Sequence, residues 1–193
     1  MKHLYHRYYK RLFDIFFAIF LLIGLSWFIL LVIILYLLTF QLPIIFSQMR
    51  IGRNGTTFVM YKFRTLKNMD APLQQRRFWL GDFLRATNAD ELPQLWNVLL
   101  GEMSLVGPRP MPLEYGPLFT QEQNTRHLVR PGITGYAQVY GKNSISWEQK
   151  FNYDLEYVKH ITFWTDVKIL MKTITLVLSM KRDVSLMEEK FKG

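Results

Sequence analysis

The apolar positions of this chain form one long block and then a series of short, interrupted runs. No charged residue occurs in residues 15–40. A straight helix over this stretch would reach about 39 Å at 1.5 Å per residue, enough to cross a bilayer with tilt. The block is too long for the apolar part of a signal peptide, and no small-residue cleavage site follows it. Two membrane arrangements are open: a single span, or a helix that enters, bends and returns. The flanks discriminate between them. Lys2, Arg7, Lys10 and Arg11 precede the block, and Arg50, Arg53, Lys62 and Arg64 follow it. A single span puts one basic cluster outside, against the positive-inside tendency, whereas a re-entrant helix keeps both on the cytoplasmic side. Gly24 and Ser26 lie near the middle and weaken the helix there. Each arm of roughly 12 residues would reach roughly 18 Å, about halfway into the bilayer.

Beyond residue 40 the pattern turns mixed. Asn54-Gly55 is a tight-turn signal between two runs, residues 48–51 and 57–63, and predicts a β-hairpin. In its second strand Phe58, Met60, Lys62 and Arg64 share one face, and Val59, Tyr61 and Phe63 the other. Two cations on one face can grip a phosphate; a solvated edge strand is the alternative. Residues 67–77 read as a polar surface loop, and residues 91–99 as a helix. Four prolines between Gly107 and Pro117 favour a rigid, extended path. Residues 130–135 read as a turn-rich loop. Near the C-terminus Phe163, Val167, Leu170, Ile174 and Val177 recur at helical spacing. This stripe fits a core helix, and the nearby Trp147 and Trp164 point toward a membrane-surface one.

Composition narrows the chemistry. The chain has 193 residues, half of them apolar, and a formal charge of +9. The charge suits nucleic acid, acidic lipid headgroups or phosphorylated substrates. The absence of cysteine excludes disulfides, thiolate metal sites and a cysteine nucleophile. There is no Walker loop, GxGxxG or HExxH sequence, and the four histidines are scattered.

Two segments can carry a reaction. In residues 85–97, Pro93 is tolerated only in a helix's first turn, so a helix is expected to start at about Asp90. Asp90 and Glu91 would then meet free backbone N–H groups and the positive dipole end, which keep a carboxylate ionised and attract phosphate. Helix capping alone explains such acidic residues. Alternatively, two adjacent carboxylates can bind Mg²⁺ together with substrate phosphates, or one can attack a phosphoryl group. In the second segment Arg109 stands between Pro108 and Pro110. A guanidinium on a stiff backbone suits phosphoryl transfer, where catalysis is mostly positioning and charge stabilisation. A surface turn with an incidental arginine is the plainer reading.

Taken together, these motifs resemble the bacterial sugar transferases, the monotopic polyprenyl-phosphate phosphoglycosyl transferases. The resemblance starts at residues 10–14 (KRLFD) and runs through residues 53–55 (RNG) and 61–64 (YKFR). It is clearest in residues 90–99 (DELPQLWNVL) and 103–110 (MSLVGPRP), and resumes in residues 130–139 (RPGITGYAQV) and in Ser146-Trp147 with Lys150-Phe151. Residues 189–193 (EKFKG) resemble the end of the minimal members that start N-linked glycan assembly. The order and spacing of the motifs carry the assignment, since no single one is decisive.

The resemblance implies a reaction. Members transfer a phosphosugar from a UDP-sugar to undecaprenyl phosphate, release UMP and need Mg²⁺. Their Asp-Glu dyad falls on Asp90 and Glu91, so Asp90 is the expected nucleophile of a covalent phosphosugar intermediate. Glu91 is expected to help hold Mg²⁺ or handle protons. Lys62, Arg64, Arg85, Arg109 and Arg130 are the candidate phosphate contacts. The expected fold is α+β and mostly helical. Residues 1–40 form a re-entrant membrane helix, and residues 41–193 a catalytic domain with a short hairpin and membrane-surface amphipathic helices, on the cytoplasmic face of the bacterial inner membrane. Membrane lipids are expected partners and nucleic acid is not. The family's Ser-Pro pair at the helix bend is here Ser26-Trp27, so no proline marks the bend. A membrane-anchored phosphohydrolase with the same nucleophile, and a non-enzymatic basic anchor for nucleic acid, are the competing functions. A UDP-linked N-acetylated deoxysugar such as di-N-acetylbacillosamine is the donor that the chain's end suggests.

Overall fold

A computed structural model describes residues 5–141, 145–179 and 191. Lys2 of the basic N-terminal cluster, the side chain of Arg7, and residues 189, 190, 192 and 193 of the closing motif lie outside the described part.

The apolar block folds as two helices. After a π-helical turn at Tyr5–Tyr9, α1 (Lys10–Gly24) and α2 (Ser26–Leu38) meet at Leu25 with a bend of 58°. The bend falls at the glycine and serine expected to weaken the block. It forms without proline: the Ser26 hydroxyl donates to the Ile23 carbonyl at 2.8 Å, competing for a backbone acceptor at the break. Neither helix alone is long and apolar enough to cross a membrane.

Both helices pack into the rest of the molecule on one side. Asp14 accepts from the Ser104 hydroxyl at 3.0 Å and the Leu105 N–H at 3.1 Å, and Ala18 is buried beside them. Val32 and Tyr36 of α2 join a second cluster with Phe63, Leu80, Leu84 and Ala89. On the other side Phe16, Phe20, Ile23, Trp27 and Leu38 are each more than 60% exposed.

The hairpin is present. β1 (Ile45–Ile51) pairs antiparallel with β2 (Thr57–Phe63), from Ile45 opposite Phe63 to Ile51 opposite Thr57. Asn54 and Gly55 take φ of 56° and 75°, the left-handed region these two residues tolerate best. The stretch read as a loop at residues 67–77 contains one helical turn, α3 (Leu73–Arg76), closed by a bond from the Lys67 N–H to the Arg76 carbonyl at 2.8 Å. α4 (Trp79–Ala86) follows and buries Leu80 and Leu84, four residues apart on one face.

The helix expected to begin at Asp90 begins later. Asn88 is left-handed at φ 54°, Ala89–Glu91 form a 3₁₀ turn, and α5 covers Gln94–Leu100 with Pro93 as its N-cap. The Glu91 N–H already bonds the Asn88 carbonyl at 3.2 Å, so this donor is not free for an anion. Asn97, fully buried on α5, ties the helix to the hairpin: it accepts from the Tyr61 N–H at 3.1 Å and donates to the Val59 carbonyl at 2.7 Å.

The second sheet was not visible in the sequence. β3 (Ser104–Val106) pairs in parallel with β4 (Gly132–Thr134), the latter inside the stretch read as a turn-rich loop. Between them the proline-rich segment runs extended and then forms a 3₁₀ turn at Leu113–Leu118, followed by α6 (Gln121–Asn124) and a further 3₁₀ turn at Thr125–Leu128.

Three helices complete the described chain: α7 (Tyr136–Tyr140), α8 (Trp147–Lys159) and α9 (Phe163–Leu178). α9 turns its apolar stripe only partly to the core, with Leu170 packed against the main cluster and Val167 and Val177 half-buried. Its buried residues are Asp166 and Ile169, while Phe163 and Ile174 of the stripe are exposed beside Trp164, Met171 and Leu178. A polar hub sets this phase. Asp166 accepts from Tyr5 Oη at 2.7 Å, Lys10 Nζ at 2.6 Å and Tyr157 Oη at 2.8 Å.

Candidate active site

The dyad sits where the hairpin, the turn after α4 and the proline-rich segment converge. Buried Ala89 packs against the cluster containing Leu80 and Leu84, and this anchors the 3₁₀ turn that presents Asp90 and Glu91. Strand alternation brings Lys62 to the same place. It follows buried Phe58 and Met60 on one face of β2, and its Nζ lies 2.5 Å from Glu91 Oε1.

Arg109 Nη1 approaches the same Glu91 oxygen at 3.5 Å. Its backbone is held by more than the two prolines. Buried Arg126 donates from Nη2 to the Arg109 carbonyl at 2.8 Å and pairs with buried Asp154 through Nε at 3.0 Å and Nη2 at 2.5 Å. The Arg126 guanidinium also lies over the Phe119 and Phe151 rings, at 5.9 and 5.6 Å from their centroids. Neither Arg126 nor Asp154 was a candidate from sequence. Their pairing spans 28 residues, and no spacing rule links them.

The two carboxyls are driven apart in acidity. Burial pushes Asp90 up to about 6; the Glu91 charge adds to this, and Lys62, Arg85 and Arg109 oppose it. Burial also acts on Glu91, but Lys62 and Arg109, by charge and by hydrogen bond, outweigh it and hold that carboxyl below its ordinary range. The pair therefore combines one firmly ionised carboxylate with one of raised basicity, a separation typical of groups with different chemical tasks.

Of the five cations expected to contact phosphate, Lys62, Arg85 and Arg109 act on the dyad. Arg64 lies one residue beyond β2, and its N–H still bonds the Ile44 carbonyl at 2.8 Å. Its Nε donates to the Pro43 carbonyl at 2.9 Å, and its guanidinium lies over the Phe46 ring. Arg130 donates from Nε to the Gly101 carbonyl at 2.7 Å, in the company of Arg11 and Arg53. A cleft opens beside the dyad, lined by Arg50, Met60, Lys62, Glu91, Gln94 and Arg109. Arg50 entered the sequence reading only as a flanking charge.

Among the described residues no three His, Cys, Asp or Glu side chains gather as a metal site. The adjacent carboxylates of Asp90 and Glu91 still fit Mg²⁺, which takes one or two carboxylates and fills its remaining positions with substrate phosphate and water.

The chain belongs to the bacterial sugar transferase family, whose profile matches residues 5–180. It is 47% identical over 175 residues to the uncharacterized sugar transferase EpsL of Bacillus subtilis, covering 88% of this chain and 87% of that one. Over 196 residues it is 36% identical to the undecaprenyl-phosphate galactose phosphotransferase of Salmonella typhimurium, covering 89% of this chain and 41% of the relative. It is also 37% identical over 182 residues to the UDP-glucose:undecaprenyl-phosphate glucose-1-phosphate transferase of Klebsiella pneumoniae, covering 86% of this chain and 39% of the relative. The chain thus spans about four-tenths of the length of the latter two.

Proposed function

We propose that this protein transfers a phosphosugar from a UDP-sugar to undecaprenyl phosphate, through a covalent intermediate on Asp90, with release of UMP. The carrying observation is the half-buried Asp90–Glu91 pair on which Lys62, Arg85 and Arg109 converge. Relatives named for undecaprenyl-phosphate sugar-phosphate transfer support the choice of donor and acceptor.

In the first step an Asp90 carboxylate oxygen attacks the sugar-bearing β-phosphorus. The bond from that phosphorus to the bridging oxygen breaks, and its electron pair leaves with UMP. In the second step a phosphate oxygen of the lipid attacks the same phosphorus, and the Asp90 carboxylate departs as leaving group. The product is an undecaprenyl diphosphate sugar. The raised basicity of Asp90 favours nucleophilic attack, and the surrounding cations offset repulsion between a carboxylate and a diphosphate. Glu91 stays ionised and fixes the Lys62 ammonium. Mg²⁺, held by Asp90 and Glu91, would supply charge neutralisation of the donor phosphates.

Residues 10–38 act as the membrane anchor in this reading. Their bend and their exposed apolar side suit a helix pair that dips into the cytoplasmic leaflet and returns, and the exposed apolar residues of α9 suit the membrane surface. Labelling of an N-terminal tag from the periplasmic side would overturn that topology.

The reaction is tested by following UMP release from a panel of UDP-sugars with undecaprenyl phosphate and Mg²⁺, beside an Asp90→Asn variant. Release that requires the lipid and vanishes in the variant is expected. Release without lipid would mean a hydrolase instead. A fully active variant would return the dyad to a structural role.

A further inference from the structure

The geometry points to Arg50 as the residue that binds the donor's nucleotide-side phosphate, the group that departs with the nucleoside. This rests on the transferase reading above and adds a leaving-group contact to it.

The cleft beside the dyad is lined by three cations, Arg50, Lys62 and Arg109, and one carboxylate, Glu91. Lys62 and Arg109 both engage Glu91, whereas Arg50 forms no ion pair among the described residues. Its Nη2 donates to Gln48 Oε1 at 2.6 Å, and its Nη1 reaches the Pro110 carbonyl only at 3.4 Å. Its Nε is buried and has no hydrogen-bond partner among the described residues. A charged donor left in that state is costly, and an anion entering the cleft would satisfy it.

The surroundings hold Arg50 against a like charge. Burial and the neighbouring Arg109 lower its pKa to about 10, while Tyr115, Glu114 and Glu91 counteract them. Such crowding makes sense at a site built for an anion. The backbone is fixed accordingly: Arg50 bridges to Pro112, and the Ile51 N–H bonds the Met111 carbonyl at 3.0 Å. Both guanidiniums are thus tied to one proline-rich segment, which removes much of the ordering cost of gripping a phosphate.

Asp90 responds to Lys62, Arg85 and Arg109, and Arg50 responds to Arg109 and Glu91. Arg109 acts on both groups, and Arg50 shares the cleft beside the dyad with Lys62, Glu91 and Arg109. With the β-phosphorus at Asp90, the other phosphate of the diphosphate is one bridging oxygen away, and the cleft beside the dyad offers it Arg109 and Arg50. When the bond to the bridging oxygen breaks, that phosphate gains a negative charge, and a guanidinium placed there stabilises it as it forms.

The test uses the full chain in detergent with UMP as the probe. UMP affinity is measured by titration calorimetry, alongside steady-state kinetics, for the wild type, Arg50→Gln and Arg50→Lys. Gln removes the charge and keeps hydrogen-bonding capacity toward Gln48 and Pro110. Lys keeps the charge and loses the planar fork, and serves if Gln fails to melt cooperatively. The expected result for Arg50→Gln is a loss of about 10- to 100-fold in UMP affinity and in kcat/KM for the donor, the range of a charge-assisted hydrogen bond. The KM for undecaprenyl phosphate should not move, and Lys should fall in between. Equal UMP affinity in all three proteins, or no UMP binding by the wild type, would overturn the assignment. A change confined to the lipid KM would also overturn it by placing Arg50 on the acceptor. Loss of UMP binding in the variant of a protein that turns over no UDP-sugar would leave the anion site standing and remove the transferase reading.

Discussion

Replacing Gly132 by alanine drives a methyl group into the backbone at Gly107, just past the end of β3. An added Cβ there would lie 2.7 Å from Gly107 Cα and closer still to Gly107 N and the Thr134 carbonyl oxygen. Ordinary carbon contacts are about 3.5–4.0 Å, so the strands must separate by about 1 Å. Three backbone bonds depend on the close approach: Gly132 N–H to the Pro108 carbonyl at 2.9 Å, Gly107 N–H to the Thr134 carbonyl at 2.8 Å, and Ser104 N–H to the Pro131 carbonyl at 2.8 Å. At about 0.5–1.5 kcal/mol each, their loss costs about 3 kcal/mol. For a chain of this size that lowers the thermal midpoint by about 6–12 °C. The damage also reaches chemistry, because Gly107 and Pro108 carry Arg109. Turnover measured well below the midpoint should therefore fall more than the unfolded fraction explains. Gly116→Ala is the control, since its nearest neighbour would be Ile51 Cδ1 at 3.5 Å, an ordinary contact. Melting by circular dichroism and UMP release decide the matter. A Gly132→Ala protein with the wild-type midpoint and wild-type turnover would refute the reasoning.

Two further outcomes concern buried charge and pH. Asp166→Ala leaves Tyr5, Lys10 and Tyr157 without their shared acceptor. Breaking such a buried pair costs about 3–5 kcal/mol, and adding Lys10→Met should recover part of the lost midpoint by removing the stranded charge. An unimproved double variant would argue against an electrostatic origin. His127 is held down to about 4 by burial and by the charge of Arg126, against 6.5 unperturbed. The unfolded chain therefore binds more protons between these values, so stability present above pH 6.5 is lost as the pH falls toward 4. Allowing for partial exposure, the loss is about 1–2 kcal/mol. His127→Gln should flatten the decline in midpoint between pH 7 and 4.5, and parallel declines would exonerate this residue.

What could be read from the sequence shares a physical basis. The bend at Gly24 and Ser26, the Asn54-Gly55 turn and the alternation that aims Lys62 inward are all local preferences, expressed within a few residues. So is the break at Pro93, although its consequence was a 3₁₀ turn carrying the dyad and not the first turn of a helix. The features that escaped depend on distant partners. β3 and β4 have three residues each, too few for a period, and they exist because glycines let two backbones approach. Arg126 and Asp154 look like surface residues until each is seen to bury the other. α9 carries an apolar stripe that ordinarily marks a core face, yet its most deeply buried residue is Asp166, because three donors converge on that carboxylate. Arg64 and Arg50 show the limit of alternation. It puts Arg64 on the face shared with Lys62, where the Arg64 side chain bonds the Pro43 carbonyl, and it gives no reason to single out Arg50.

The Asp166 hub also imposes an order on the making of the protein. Lys10 precedes its carboxylate partner by 156 residues, and Asp14 precedes Ser104 by 90. At a translation rate of about 5–20 residues per second, Lys10 waits roughly 8–30 s on the ribosome for Asp166 to exist. During that interval Lys10 and Asp14, one helical turn apart on α1, are each other's available counter-charge. The nascent helix can thus keep both charges neutralised until α9 arrives to exchange partners, and a chain stalled before α9 would hold Lys10 without its native carboxylate.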